Sequence, residues 1–150
     1  MRTLEQWLDL YAESHQNKTN KIVHKICVPV ITFTVFGLLW VIPTPQSFSA
    51  IPFLNWSSIF GAIALVLYVR LSLQLFFIML VQVLFFLALC FYIDQATNLL
   101  FLSLVLFVIA WIGQFWGHKV EGKKPSFFQD IQFLLIGPIW VTKAMFNLPK

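Results

Sequence analysis

From Leu73 to Tyr92 the chain reads LQLFFIMLVQVLFFLALCFY, a run without one charged residue. As a helix, a run of this length covers the ~30 Å hydrocarbon core of a bilayer. A helix that is apolar all round needs lipid or other protein on every side. The rest of the chain cannot supply that cover in water. Of its residues 59% are hydrophobic and 11% charged, against roughly a quarter charged in soluble domains. The expected fold is therefore all-α: an integral membrane helical bundle, one domain over residues 1–150, with about four transmembrane helices.

The other segments show the same pattern. Ile22–Val41 is apolar after His24 and Lys25, with a kink expected at Pro29. Trp56–Tyr92 is too long for one span and carries Arg70 in its middle. It divides into helices over Phe53–Val69 and Leu73–Tyr92, joined as an antiparallel hairpin by a turn at Arg70–Ser72. Leu99–Trp116 is the fourth span. Phe127–Phe146 is interrupted by Gln129, Asp130, Gln132, Gly137, Pro138 and Lys143; it reads as a C-terminal apolar helix tucked against the bundle or the interface. At the other end, Thr3 and Gln6 form a capping box for an amphipathic helix over Thr3–Tyr11. Leu4, Trp7, Leu8 and Tyr11 share its apolar face, and it is expected to lie on the membrane surface. Met1–His15 lacks the apolar stretch of a signal peptide.

Charge orients the bundle. With four spans and the N-terminus inside, Arg2, Lys18, Lys21, Lys25, Arg70, Lys119, Lys123 and Lys124 are all cytoplasmic, and the outer loops 42–52 and 93–98 hold no Lys or Arg. The net charge of +4 thus serves topology, in a bacterial inner membrane or an ER-type membrane, and no nucleic-acid partner is expected. Cys27 and Cys90 fall in apolar segments toward opposite faces and read as inert thiols.

Polar residues concentrate at two junctions. Ser14–Pro29 (SHQNKTNKIVHKICVP) holds His15 and His24; Phe115–Pro125 (FWGHKVEGKKP) holds His118 and Glu121. These are all of the chain's histidines. On one continuous helix His15 and His24 would face opposite ways. A turn at Asn17–Asn20, with Thr19 or Asn20 capping the next helix, lets them converge. His118 and Glu121 share a side if the helix continues past Trp116, while Gly117 and Gly122 would also permit a tight loop. In the topology above, all four side chains lie on the cytoplasmic face.

Two histidines and a carboxylate suit iron with positions left for substrate and oxygen. Three histidines and water suit zinc. The same imidazoles could also bond headgroups or backbone and be purely structural. Three histidines are too few for the histidine boxes of di-iron membrane desaturases, and HExxH, GxSxG, Walker and GxGxxG signatures are absent. Lys21, Lys25, Lys123 and Lys124 are placed to attract an anionic head, with Asn20 a turn or cap residue beside them. Tyr11 and the tryptophans read as interface anchors.

The pattern Tyr11-x-x-x-His15, Asn20, His24, Cys27, Pro29, then Gln114-Phe115-x-Gly117-His118-x-x-Glu121-x-x-x-Pro125, resembles the 2-hydroxy fatty acid dioxygenases, a family of small membrane proteins. The resemblance covers essentially the whole chain. One departure is Ser126-Phe127 after Pro125, where the family often has Ala-Leu. The resemblance implies iron(II)-dependent α-oxidation, in which a long-chain 2-hydroxy fatty acid reacts with O2 and loses its carboxyl carbon. It implies His15, His24 and His118 as iron ligands and Glu121 as a fourth ligand or a catalytic base beside them. Lys21, Lys25, Asn20 and Lys124 are then expected at the substrate's head. Two alternatives stand: a membrane scaffold or lipid-binding protein with structural histidines, and a zinc-dependent lipid hydrolase. The sequence leaves the oligomeric state open.

Overall fold

The first helix forms where its cap predicts. In the computed structural model, which describes residues 3–124 and 132–146, the Gln6 N–H donates to Thr3 Oγ1 (3.3 Å) and the Thr3 N–H to Gln6 Oε1 (3.0 Å). This capping box opens α1, Leu4–Glu13. After it come the helices α2 (Lys18–Trp40), α3 (Trp56–Leu71), α4 (Leu73–Ala96), α5 (Leu99–Glu121) and α6 (Phe133–Phe146), with a 3-10 turn at Gln46–Ala50. The described residues contain no strand.

The chain forms two compact units, Phe33–Phe107 and Met1–Thr32 with Val108–Lys150. In the first, α3 packs on α4 around a core of Phe33, Phe36, Val83, Phe86, Cys90 and Leu99. Ser72 alone makes the hairpin. Its backbone is extended, it ends α3, and its side chain accepts from the Leu75 N–H to start α4.

The helix α3 is shorter than its apolar run. Asn55 and Ser58 form a capping box that starts it at Trp56, not Phe53. Its 16 residues reach only about 24 Å at 1.5 Å per residue. α2, α4 and α5 are long and apolar enough to cross a membrane. So three of the four expected spans have full length, and α3 falls short.

In the other unit α1 packs on α6. The Trp7 and Phe133 rings meet edge to face with centroids 5.2 Å apart. Trp7, Leu8 and Tyr11 are buried, so the apolar face of α1 lies on protein where the sequence pattern predicted a membrane surface. α6 is the tucked C-terminal helix, buried from Phe133 through Thr142 on its inner face with Pro138 inside it. Of the apolar stretch assigned to that helix, 127–131 lies outside the described residues. α2 stays helical through Pro29. It begins at Lys18 because Asn17, not Thr19 or Asn20, caps it: Asn17 Oδ1 accepts from the Thr19 N–H at 2.8 Å. Both cysteines are free thiols.

Candidate metal centre

Two of the histidines are each fixed by a backbone carbonyl four residues earlier. At the end of α1, His15 Nδ1 lies 2.6 Å from the Tyr11 carbonyl. In the first turns of α2, His24 Nδ1 lies 3.0 Å from the Asn20 carbonyl. A carbonyl only accepts, so both rings carry their proton on Nδ1 and keep a free lone pair on Nε2. His15 Nε2 is buried without a hydrogen-bond partner among the described residues.

The third ring comes from the end of α5. The helix continues past Trp116 to Glu121, and Gly122, with φ +75°, turns it off. The Gly122 N–H then reaches Lys119 O and the Lys123 N–H reaches His118 O, a glycine-terminated helix end. The helix, not the tight-loop option, thus carries His118 and Glu121. Gly117 sets how near α5 can come to α2: a Cβ there would sit 2.6 Å from Asn20 Oδ1. His118 Nδ1 is buried and unpartnered among the described residues, like His15 Nε2.

The three rings converge. Centroids are 4.2 Å apart for His15 and His24, 5.0 Å for His15 and His118, and 4.9 Å for His24 and His118, with planes 72–89° to one another. One donor nitrogen from each lies within 4.8 Å of the others. Two nitrogens on one ion, each about 2 Å from it, are at most about 4 Å apart. A pair at the wide limit would therefore close by about an ångström on loading. Burial pushes the His15 imidazole from 6.5 down to about 4, so it is neutral and able to ligate near pH 7. Orphaned buried nitrogens, locked tautomers and neutral rings all fit a bound metal.

Glu121 stands beside this trio and faces the α1–α2 turn. Its Oε1 accepts from the Gln16 N–H (2.8 Å), and its Oε2 accepts from the Asn17 N–H (2.8 Å) and Asn20 Nδ2 (3.1 Å). The carboxylate thereby ties the end of α5 to the residues just after His15 and to the start of α2, where a negative charge is favourable. Asn20, fully buried, also donates to Ser14 O at 3.2 Å. Its amide orientation is set by facing two acceptors. Lys123 adds a further tie by donating to Glu13 O at 2.7 Å, at the C-terminal end of α1.

A cavity of about 60 Å³ is bordered by Tyr11, His24, Gln114 and His118. Its other walls are Val28, Ile31, Thr32, Trp111, Phe133, Leu134, Gly137 and Pro138. A few polar groups are thus set in a mostly apolar lining, the pattern of a site for an amphiphile.

Four residues expected at the substrate's head occupy different positions. Asn20 is locked into the hydrogen-bonded frame. The charge of Lys21 reaches His15, Lys25 is half-buried on α2, and Lys124 is exposed just after α5. Tyr11 is the residue the sequence reading misplaced. It is buried, stacks on His15 with centroids 4.1 Å apart and planes 10° apart, and borders the cavity. The signal was its position four residues before His15, which puts both on one side of a helical turn. The α6 residues Phe133, Gly137 and Trp140 also belong to the site, and nothing in their local sequence marks them.

These features define a helical protein with helices of membrane-crossing length and a buried three-histidine centre beside an amphiphilic cavity. Residues 1–147 match the family described as 2-hydroxy-palmitic acid dioxygenase Mpo1-like, and the chain belongs to that family. It is 33% identical over 141 residues to the 2-hydroxy-palmitic acid dioxygenase MPO1 of Saccharomyces cerevisiae, a match that spans 92% of this chain and 76% of the yeast protein. No solved structure matches it.

Proposed function

We propose that this protein is an iron(II)-dependent dioxygenase that shortens long-chain 2-hydroxy fatty acids by one carbon. The observation that carries the reading is the meeting of three buried imidazoles, two of them with the proton held on Nδ1, beside a mostly apolar cavity that His24 and His118 line. Membership of a family described by dioxygenase activity supports it, and favours iron over zinc because zinc has no redox chemistry. The reaction balances with no other reductant: R–CH(OH)–COOH and O2 give R–COOH, CO2 and H2O.

His15, His24 and His118 would hold the iron, which when bound supplies the centre that brings O2 to reaction with the α-hydroxy acid. The chain's own groups prepare that centre. Tyr11 and Asn20 hold the Nδ1 protons of His15 and His24 through their carbonyls. Glu121 fixes the turn between those two histidines. The apolar walls take the alkyl tail and exclude water. Lys21 and Lys25 draw the anionic head toward the junction. In this reading the protein is integral to the membrane, with its N-terminus and both histidine junctions on the cytoplasmic face, where a fatty acid presents its head.

The test is oxygen uptake by protein reconstituted anaerobically with iron. Addition of 2-hydroxyhexadecanoate is expected to start O2 consumption, and hexadecanoate is not. Equal activity with zinc in place of iron, and no O2 uptake, would overturn the reading.

A further inference from the structure

We propose that the Tyr11 hydroxyl binds substrate, donating a hydrogen bond to the carboxylate of the 2-hydroxy fatty acid. The inference rests on the reading above and assigns a group that the three histidines leave unexplained.

The ring of Tyr11 is fixed on several sides. It stacks on His15, and its centroid lies 5.5 Å from that of Trp140 and 5.9 Å from that of Phe133. Only 6% of the residue is exposed. The hydroxyl end rests against Gly137, itself a wall of the cavity, where a Cβ would come within 3.1 Å of Oη. Among the described residues the only hydrogen bonds of Tyr11 outside regular helix pairing are those its carbonyl accepts. Its hydroxyl therefore has no protein partner there.

Tyr11 lines the cavity, and a hydroxyl without a protein partner there is free to bond what the cavity holds. A metal on the imidazoles would satisfy their lone pairs and leave this O–H unpaired. A phenol O–H serves as a donor near neutral pH. What fits is an acceptor at the head of an apolar chain. Of the acid's head groups, the carboxylate is the strongest acceptor, and hydrogen bonds to charged groups are stronger than those between neutral ones.

The test compares iron-loaded wild type, Tyr11→Phe, Gly137→Ala and the double variant by iron content and by binding of two probes. One probe is 2-hydroxyhexadecanoate, and the other is hexadecan-2-ol, which keeps the 2-hydroxyl and has a methyl in place of the carboxylate. Tyr11→Phe retains the stacked ring, so it is expected to keep its iron and bind the acid about 10- to 100-fold more weakly, with the alcohol unaffected. Gly137→Ala crowds the hydroxyl and should weaken the acid by a smaller factor. In the double variant it should add nothing, because Phe has no Oη to crowd. Unchanged acid binding by Tyr11→Phe, an equal loss for acid and hexadecan-2-ol, or loss of iron would each overturn the proposal. Wild type that holds iron but does not bind the acid overturns the functional reading, and with it the role of Tyr11.

Discussion

Replacing Glu121 with alanine removes one acceptor from three donors at once. Two of these, the Gln16 and Asn17 N–H groups, sit in an exposed turn. Water replaces their partner there, so each is worth only about 0.5 kcal/mol. The third, Asn20 Nδ2, is buried and keeps its bond to Ser14 O, so its loss costs about 1 kcal/mol. The sum is about 2 kcal/mol. The larger effect falls on metal affinity, because the turn that Glu121 fixes positions His15 and His24. Loss of such an outer support typically weakens a site 10- to 100-fold. Glu121→Gln keeps one acceptor oxygen but presents an NH2 group to a backbone N–H, and should lie between alanine and wild type. The assay is chelator competition for iron, measured beside thermal melting. Unchanged chelator sensitivity in Glu121→Ala would refute the reasoning. So would complete loss of iron from Glu121→Gln with an unchanged melting temperature, which is the behaviour of a direct ligand.

The same geometry yields two further predictions. His24→Ala and His118→Ala should each abolish stoichiometric iron while preserving helical content by circular dichroism; retention of one iron per chain by either variant would contradict a joint site. Gly117→Ala places a Cβ 2.6 Å from Asn20 Oδ1, and the overpacking should cost about 1–3 kcal/mol and weaken iron binding, read by melting and by the same chelator competition.

Much of the fold was legible because long apolar runs and caps are local signals. The Thr3 box and the break near Ser72 are written in neighbouring residues, whereas the sequence left the course of the chain past Trp116 open between helix and tight loop. The convergence of His15 and His24 was also readable, since a turn between them is the only way to undo their opposite phase on one helix. The start of α2 was misjudged because Asn17, Thr19 and Asn20 are all good caps, and only the folded turn shows that Asn20 is needed as a buried tie. The start of α3 was misjudged for a related reason: the apolar Phe53–Leu54 extends the hydrophobic run, but the Asn55–Ser58 box decides where helix begins. Tyr11 was read as an interface anchor because amphipathic side chains favour that role. Its true neighbours, Phe133, Gly137 and Trp140, lie more than a hundred residues away. Such contacts belong to packing, and no spacing in the sequence encodes them.

The measurement that bears most directly on the account is the product formed when anaerobically iron-loaded protein meets 2-hydroxyhexadecanoate and a known amount of O2, without added reductant. The account predicts pentadecanoate and CO2 in equal amounts, with one O2 consumed for each, and no product from His118→Ala. Recovery of the 2-hydroxy acid unchanged by a folded, iron-bound wild type, or a product of undiminished chain length, would contradict it.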